Sequence, residues 1–121
     1  MTQTLPGAAT APDPVLPERP AAVEWDLLRD TVRWSPTAYR LLARDPRLGP
    51  LTLDQLPGQL VEQDRPVLRR MVTEALVHGR PLDGVVRVHR SQGPAPVHCA
   101  GRARLGPDGQ VVSLRMLLSP G

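Results

Sequence analysis

The sequence predicts an α+β domain, an antiparallel sheet with helices packed on one face. Three observations predict it: two short alternating segments early in the chain, an amphipathic helical middle, and three further strand-like segments separated by turn residues at the end. With 121 residues there is room for one such domain.

Residues 1–22 hold Pro6, Pro12, Pro14, Pro17 and Pro20 among alanines and threonines. Such a segment buries too little apolar surface to offset its ordering entropy, so it is expected to be a disordered or extended arm, with residues 23–119 forming the folded domain. In the first strand, Val23, Trp25 and Leu27 alternate with Glu24 and Asp26. A short Leu28-Arg29-Asp30 link then suits a hairpin into a second strand, Thr31 to Trp34. Ser35-Pro36 reads as a helix start, the serine hydroxyl accepting from free backbone amides, and Asp45-Pro46 closes a helix running from Pro36 to about Arg44. Leu51 to Val61 is apolar but broken by Pro57-Gly58, which predicts two short helical turns.

The clearest helix has Asp64 as N-cap and Pro66 in its first turn. Leu68, Met71, Val72, Ala75 and Leu76 follow at helical spacing, and Gly79 stops it. The closing strands are Leu82 to Arg90, Val97 to Leu105 and Gln110 to Ser119, joined by Ser91-Gln92-Gly93-Pro94 and Gly106-Pro107-Asp108-Gly109. In the last of them Val112, Leu114, Met116 and Leu118 share one face.

Composition narrows the function. No apolar run approaches the roughly 20 residues of a bilayer span, and Met1 to Thr10 lacks the basic and apolar regions of an export signal. A cytoplasmic protein is expected, and a lone Cys99 agrees with it. The sequence has no Lys, Ile, Phe or Asn, so arginine is the default base of a biased composition. A net charge of +3 with two Trp and one Tyr gives little material for a stacking, phosphate-tracking groove, which argues against nucleic acid. A weaker reading keeps an RNA or DNA contact through Arg87, Arg102 and Arg104. Residues 67–121 carry eight Arg against three acids, which leaves an acidic partner surface open.

The chemistry-bearing residues do not form a catalytic set. Ser35, Ser91, Ser113 and Ser119 lack nucleophile-elbow glycines, and Gly106 and Gly109 lack the rest of a phosphate loop. Three dispersed histidines and one cysteine make no metal site. No enzymatic activity is expected.

The order of pieces resembles a PAS domain with its C-terminal PAC portion, in the PAS-3 style. The resemblance is carried by Trp25-Asp26, Val32-Arg33-Trp34-Ser35, Tyr39-Arg40-Leu41-Leu42, Val61-Glu62-Gln63-Asp64-Arg65, Gly79-Arg80-Pro81-Leu82, Val86-Arg87-Val88-His89-Arg90 and Pro107-Asp108-Gly109-Gln110-Val111. It covers residues 23 to 118. Gln63 stands where the family has proline, Gln92-Gly93 where it has Asp-Gly, and Val97 where it has an aromatic residue. The resemblance implies a PAS-like five-stranded antiparallel sheet in the order 2-1-5-4-3, helices over one face, and often a cavity between them.

Haem and flavin are the cofactors such a cavity suggests. For haem, His78 at the end of the long helix is read instead as a histidine facing the helix dipole. For flavin, Cys99 lies in a strand and reads as a buried structural thiol. The expected function is therefore a sensory or regulatory module of bacterial-type signal transduction. It binds a small apolar metabolite among Leu41, Leu56, Met71, Val72, Val86, Val88, Leu114 and Met116, and signals by protein contact. The alternative is a ligand-free adaptor or homodimer. Trp25 and Trp34 read first as rings over the core, with a rival role for Trp25 beside Arg115 on a dimer or partner face. The prolines predict no helix over residues 10–22. With three residues after Leu118, no output domain is expected to follow.

Overall fold

Alternating burial generates the sheet. The computed structural model describes residues 21–121. Its strands are β1 (Ala21–Asp26), β2 (Thr31–Trp34), β3 (Leu82–Val88), β4 (Ala95–Leu105) and β5 (Val111–Pro120). They form one five-stranded antiparallel sheet in the order β2-β1-β5-β4-β3, as the resemblance implies. Two α-helices, α1 (Pro36–Leu41) and α2 (Arg65–His78), and short 3-10 turns at Pro46–Leu48, Leu56–Gln59 and Glu62–Asp64 connect β2 to β3. The core lies between these elements and one face of the sheet. Val23, Trp25, Val86, Val88, Leu114 and Met116 point into it from the strands, and Leu56, Leu60 and Leu68 close it from the other side.

The expected arm over residues 1–22 and the expected lack of a helix over 10–22 lie outside the described residues, except at the arm's end. There Ala21 and Ala22 are already strand, because Ala21 pairs with Leu118 and Ala22 with Leu117 on β5. The first strand therefore starts before Val23.

Helix α1 stops at Leu41, short of Arg44. The Arg44 amide donates back to the Tyr39 carbonyl at 2.9 Å and Ala43 takes φ +55°, the left-handed close of a Schellman turn. Its last carbonyls are then capped from a distance. Arg90 Nη2 donates to the carbonyls of Arg40 and Leu41 at 2.7 and 2.9 Å, and Gln59 Nε2 to that of Leu42 at 2.7 Å. Arg90 thus leaves the sheet, and β3 ends at Val88 instead. A bridge from Leu60 to Val88, with His89 N donating to Gln59 O and Val61 N to Arg87 O, covers the C-terminal end of the outer edge of β3.

Helix α2 follows its sequence signals closely. It ends at Gly79, whose φ of +67° is the left-handed conformation that glycine accepts without a β-carbon penalty. Its start differs. The Asp64 side chain caps no amide of α2, and Ser35 caps none of α1. Ser35 Oγ accepts from the Ala22 amide at 2.9 Å, fastening the end of β2 to β1. The Asp64 carboxylate accepts from the Arg87 backbone amide at 2.8 Å and from Arg87 Nε and Nη2 at 3.0 and 2.9 Å. A bidentate charged pair together with a strand amide outcompetes a helix cap that neighbouring residues can supply through water.

That pair sets a pH dependence. The Arg87 guanidinium holds the Asp64 carboxyl below its usual range, against a smaller opposing effect of burial and with help from the Arg87 amide. A depressed carboxyl contributes stability above its unfolded value of about 3.9, and the contribution is lost as pH falls through the folded value. Asp64→Asn is therefore expected to unfold at lower urea than the parent at neutral pH, with the two midpoints converging as pH falls below the usual carboxylate range. A gap that stays constant with pH would show that the charge contributes nothing.

Candidate functional site

The two faces of the sheet differ in kind. On the inner face, five of the eight residues expected to line a ligand pocket are buried against one another: Leu56, Val86, Val88, Leu114 and Met116, none above 4% exposed. Met71 reaches over β3, where a β-carbon on Gly84 would come within 2.6 Å of its sulfur. Leu41 is half-buried at the end of α1. Val72, also half-buried, lines a cleft of ≈ 330 Å³ with Leu53, Pro57, Leu68 and Leu76, between α2 and the turn at Leu56–Gln59. The eight residues thus divide between a packed interior, the flank of α2 and the end of α1.

Trp25 belongs to that interior. It is 2% exposed, and its indole Nε1 donates to the Leu51 carbonyl at 2.9 Å. The expectation that Trp25 shares a partner face with Arg115 is therefore corrected. Trp25 pairs with Leu114 and Glu24 with Arg115, so alternation puts Trp25 and Arg115 on opposite faces. Trp34 is also buried, its ring centroid 5.0 Å from that of Tyr39, but its Nε1 has no acceptor among the described residues.

The polar candidates sit away from the interior or inert within it. His78 is exposed at the end of α2 and His89 is exposed just beyond β3. On the outer face of the sheet His98 Nε2 lies 2.6 Å from Asp83 Oδ1. Cys99 is buried on β4, and burial pushes its thiol up to about 11, well away from the thiolate that reactive cysteines need. Among the described residues no group of His, Cys, Asp and Glu is placed to hold a metal ion, and no helix is long and apolar enough to cross a membrane.

No described element covers the outer face. Asp83, Ala100, Leu117 and Ala22 form one cross-strand row, and Arg102, Arg115, Glu24 and Arg33 form the next. Leu117 is 46% exposed and Val85 54%, so this face presents apolar as well as charged side chains. A shallow depression of ≈ 630 Å³ lies among Asp83, Ala100, Gly101, Arg102, Arg115 and Leu117. Of this surface, the sequence alone nominated Arg115 for a partner face and singled out Arg102 and Arg104. The alternation of Ala100, Arg102 and Arg104 on one strand and Arg115 and Leu117 on another was the available signal. It shows a shared face only once β4 and β5 are in register.

No family model and no curated protein matches the sequence. Solved structures do match in fold. An RNA-binding light-oxygen-voltage receptor superposes with a TM-score of 0.70 at 17% identity over 84% of this chain, which spans 29% of that receptor. A sensory box histidine kinase/response regulator from Burkholderia thailandensis gives 0.66 at 15% identity, covering 84% of this chain and 76% of that one. A domain of a light and redox sensing histidine kinase from Haloarcula marismortui gives 0.73 at 12% identity, covering 88% and 92%. A PAS domain of a protein from Colwellia psychrerythraea gives 0.63 at 14% identity, covering 84% and 86%, and with the 2-1-5-4-3 sheet and the helices on its inner face this likeness establishes that the chain has the fold of a PAS domain.

Proposed function

We propose that this PAS-fold domain is a regulatory contact module of a signalling system, acting through the sheet face that no described element covers on a signalling protein or on a second copy of itself. One observation carries the reading: side chains fill one side of the sheet, and no described element covers the other. The interior is occupied by its own side chains, with Leu114 and Val88 0% exposed and Leu60, Val86, Val97 and Met116 at 1%, whereas Leu117 and Val85 stand in solvent. This favours the ligand-free adaptor over the metabolite sensor. The fold's occurrence in a sensory box histidine kinase and in a light and redox sensing kinase supports a role in signalling. A bacterial-type, cytoplasmic setting is part of the same proposal, as is the folded region from Ala21 of β1 to Pro120 of β5 acting as one functional unit without catalysis.

Native mass spectrometry and an absorption spectrum of the purified protein test the filled interior. The expected result is the bare polypeptide mass and no Soret or flavin band. A retained small molecule would overturn it and restore the sensor reading. That second reading has one observation in its favour, the Trp34 Nε1 donor buried without an acceptor among the described residues, a group that a ligand or a water would satisfy.

A further inference from the structure

We infer that the sheet face that no described element covers docks an acidic amphipathic segment of another protein, with apolar side chains seated over Ala100 and Leu117 and carboxylates on Arg102, Arg104 and Arg115. This rests on the contact-module reading and names the chemistry of the partner.

The register supplies the argument. Arg102 stands directly opposite Arg115 across β4 and β5, and Arg104 follows on the same face opposite Ser113. Like charges in facing positions of neighbouring strands destabilise a sheet, whereas a facing acid stabilises it. Here the acid is spent elsewhere. Glu24, on the far side of Arg115, is paired with Arg33 at 2.9 Å, and Asp83 lies against His98. No described carboxylate forms an ion pair with Arg102, Arg104 or Arg115. Among the described residues Arg102 and Arg115, without an ion-pair partner, therefore border a depression that Ala100, Gly101 and Leu117 also line, and Arg104 follows Arg102 on the same face of β4. Guanidinium groups take carboxylates in bidentate geometry, and an apolar strip edged by them matches a helix whose apolar stripe is flanked by Asp or Glu.

Other occupants fit less well. A two-fold dimer through this patch would set the cluster against its own copy, with Glu24 and Asp83 already engaged. Single-stranded nucleic acid would lack a stacking surface, because Trp25 and Trp34 are buried and Tyr39 packs on Trp34, all on the helix-covered side.

The test is an NMR titration of the full 15N-labelled chain with two synthetic helical peptides of about 20 residues. Both carry the same leucine stripe, flanked by Glu in one and by Lys in the other. An oligouridylate serves as the third probe. The expected result is that the Glu peptide shifts the amides of Ala100, Arg102, Arg115 and Leu117. Its affinity should fall about tenfold or more in the Arg102→Glu/Arg115→Glu double variant, which should instead bind the Lys peptide. The double variant is expected to keep the parent's urea midpoint, since both side chains are exposed. Equal binding of the Lys peptide by the parent at these amides would overturn the charge assignment while leaving the contact face standing. Tighter oligouridylate binding there, or concentration-dependent shifts of these amides without any peptide, would also overturn the acidic partner. If no probe and no self-association touches these amides, the contact-module reading falls with it.

Discussion

Gly101→Ala is expected to unfold at markedly lower urea than the parent, losing about 3 kcal/mol or more, because the strands on both sides of Gly101 leave no room for a β-carbon. Gly101 sits in β4 opposite Met116 of β5 and Leu82 of β3. A β-carbon placed there would overlap the backbone carbonyl oxygen of Arg115 and come within 2.8 Å of Met116 Cγ. A carbonyl in a sheet ladder cannot retreat without breaking hydrogen bonds, so the strands must separate locally. Gly84→Ala is the natural control. Its β-carbon would meet Met71 Sδ and Cε, the end of a flexible side chain, and should cost no more than about 1 kcal/mol. Urea midpoints of the two variants side by side check the pair. Equal losses would mean that the β4–β5 approach is not as close as described.

Trp25→Ala is expected to lose about 3–5 kcal/mol of folding stability, a large share of the 5–15 kcal/mol typical of a domain. The indole is buried among the inner-face side chains, and its Nε1 holds the Leu51 carbonyl at 2.9 Å. Trp25→Phe keeps an aromatic ring but leaves that carbonyl unpartnered, for an expected loss of about 1–2 kcal/mol. Denaturant unfolding measures both. A residue on an outer contact face would behave differently, shifting stability by no more than about 0.5 kcal/mol while changing association. Parent-like unfolding of Trp25→Ala with altered oligomeric state would therefore return Trp25 to the partner face.

Much of the fold was legible because its elements are locally encoded. The apolar spacing from Leu68 to Leu76, the Pro66 start and the Gly79 stop delimit α2 to within a residue. Alternation gives β3, β4 and β5 to within a few positions, and the turn residues separate them. The errors share a cause. Ser35 and Asp64 have the right chemistry for helix caps, yet each serves a partner distant in sequence, Ala22 and Arg87 respectively. Arg90 reads as the end of a strand but caps α1, 49 and 50 positions away. Side chains able to satisfy several backbone groups choose among them only when the chain has brought those groups together.

The site shows the same division. By itself the sequence determined that Arg102 and Arg104 share one face of a strand and that Leu114 and Met116 share another, because a strand's side chains alternate with a period of two. It also determined that an amphipathic helix must cover one side of the sheet. Only the tertiary structure decided that Trp25 faces that helix side, that Arg102 meets Arg115 across the ladder, and that Glu24 turns to Arg33 instead. Register between strands is fixed by the packing of the whole core and by turns far from the residues it aligns. A charge cluster built from two strands therefore shows in each only as alternation, and as a cluster only once the two are in register.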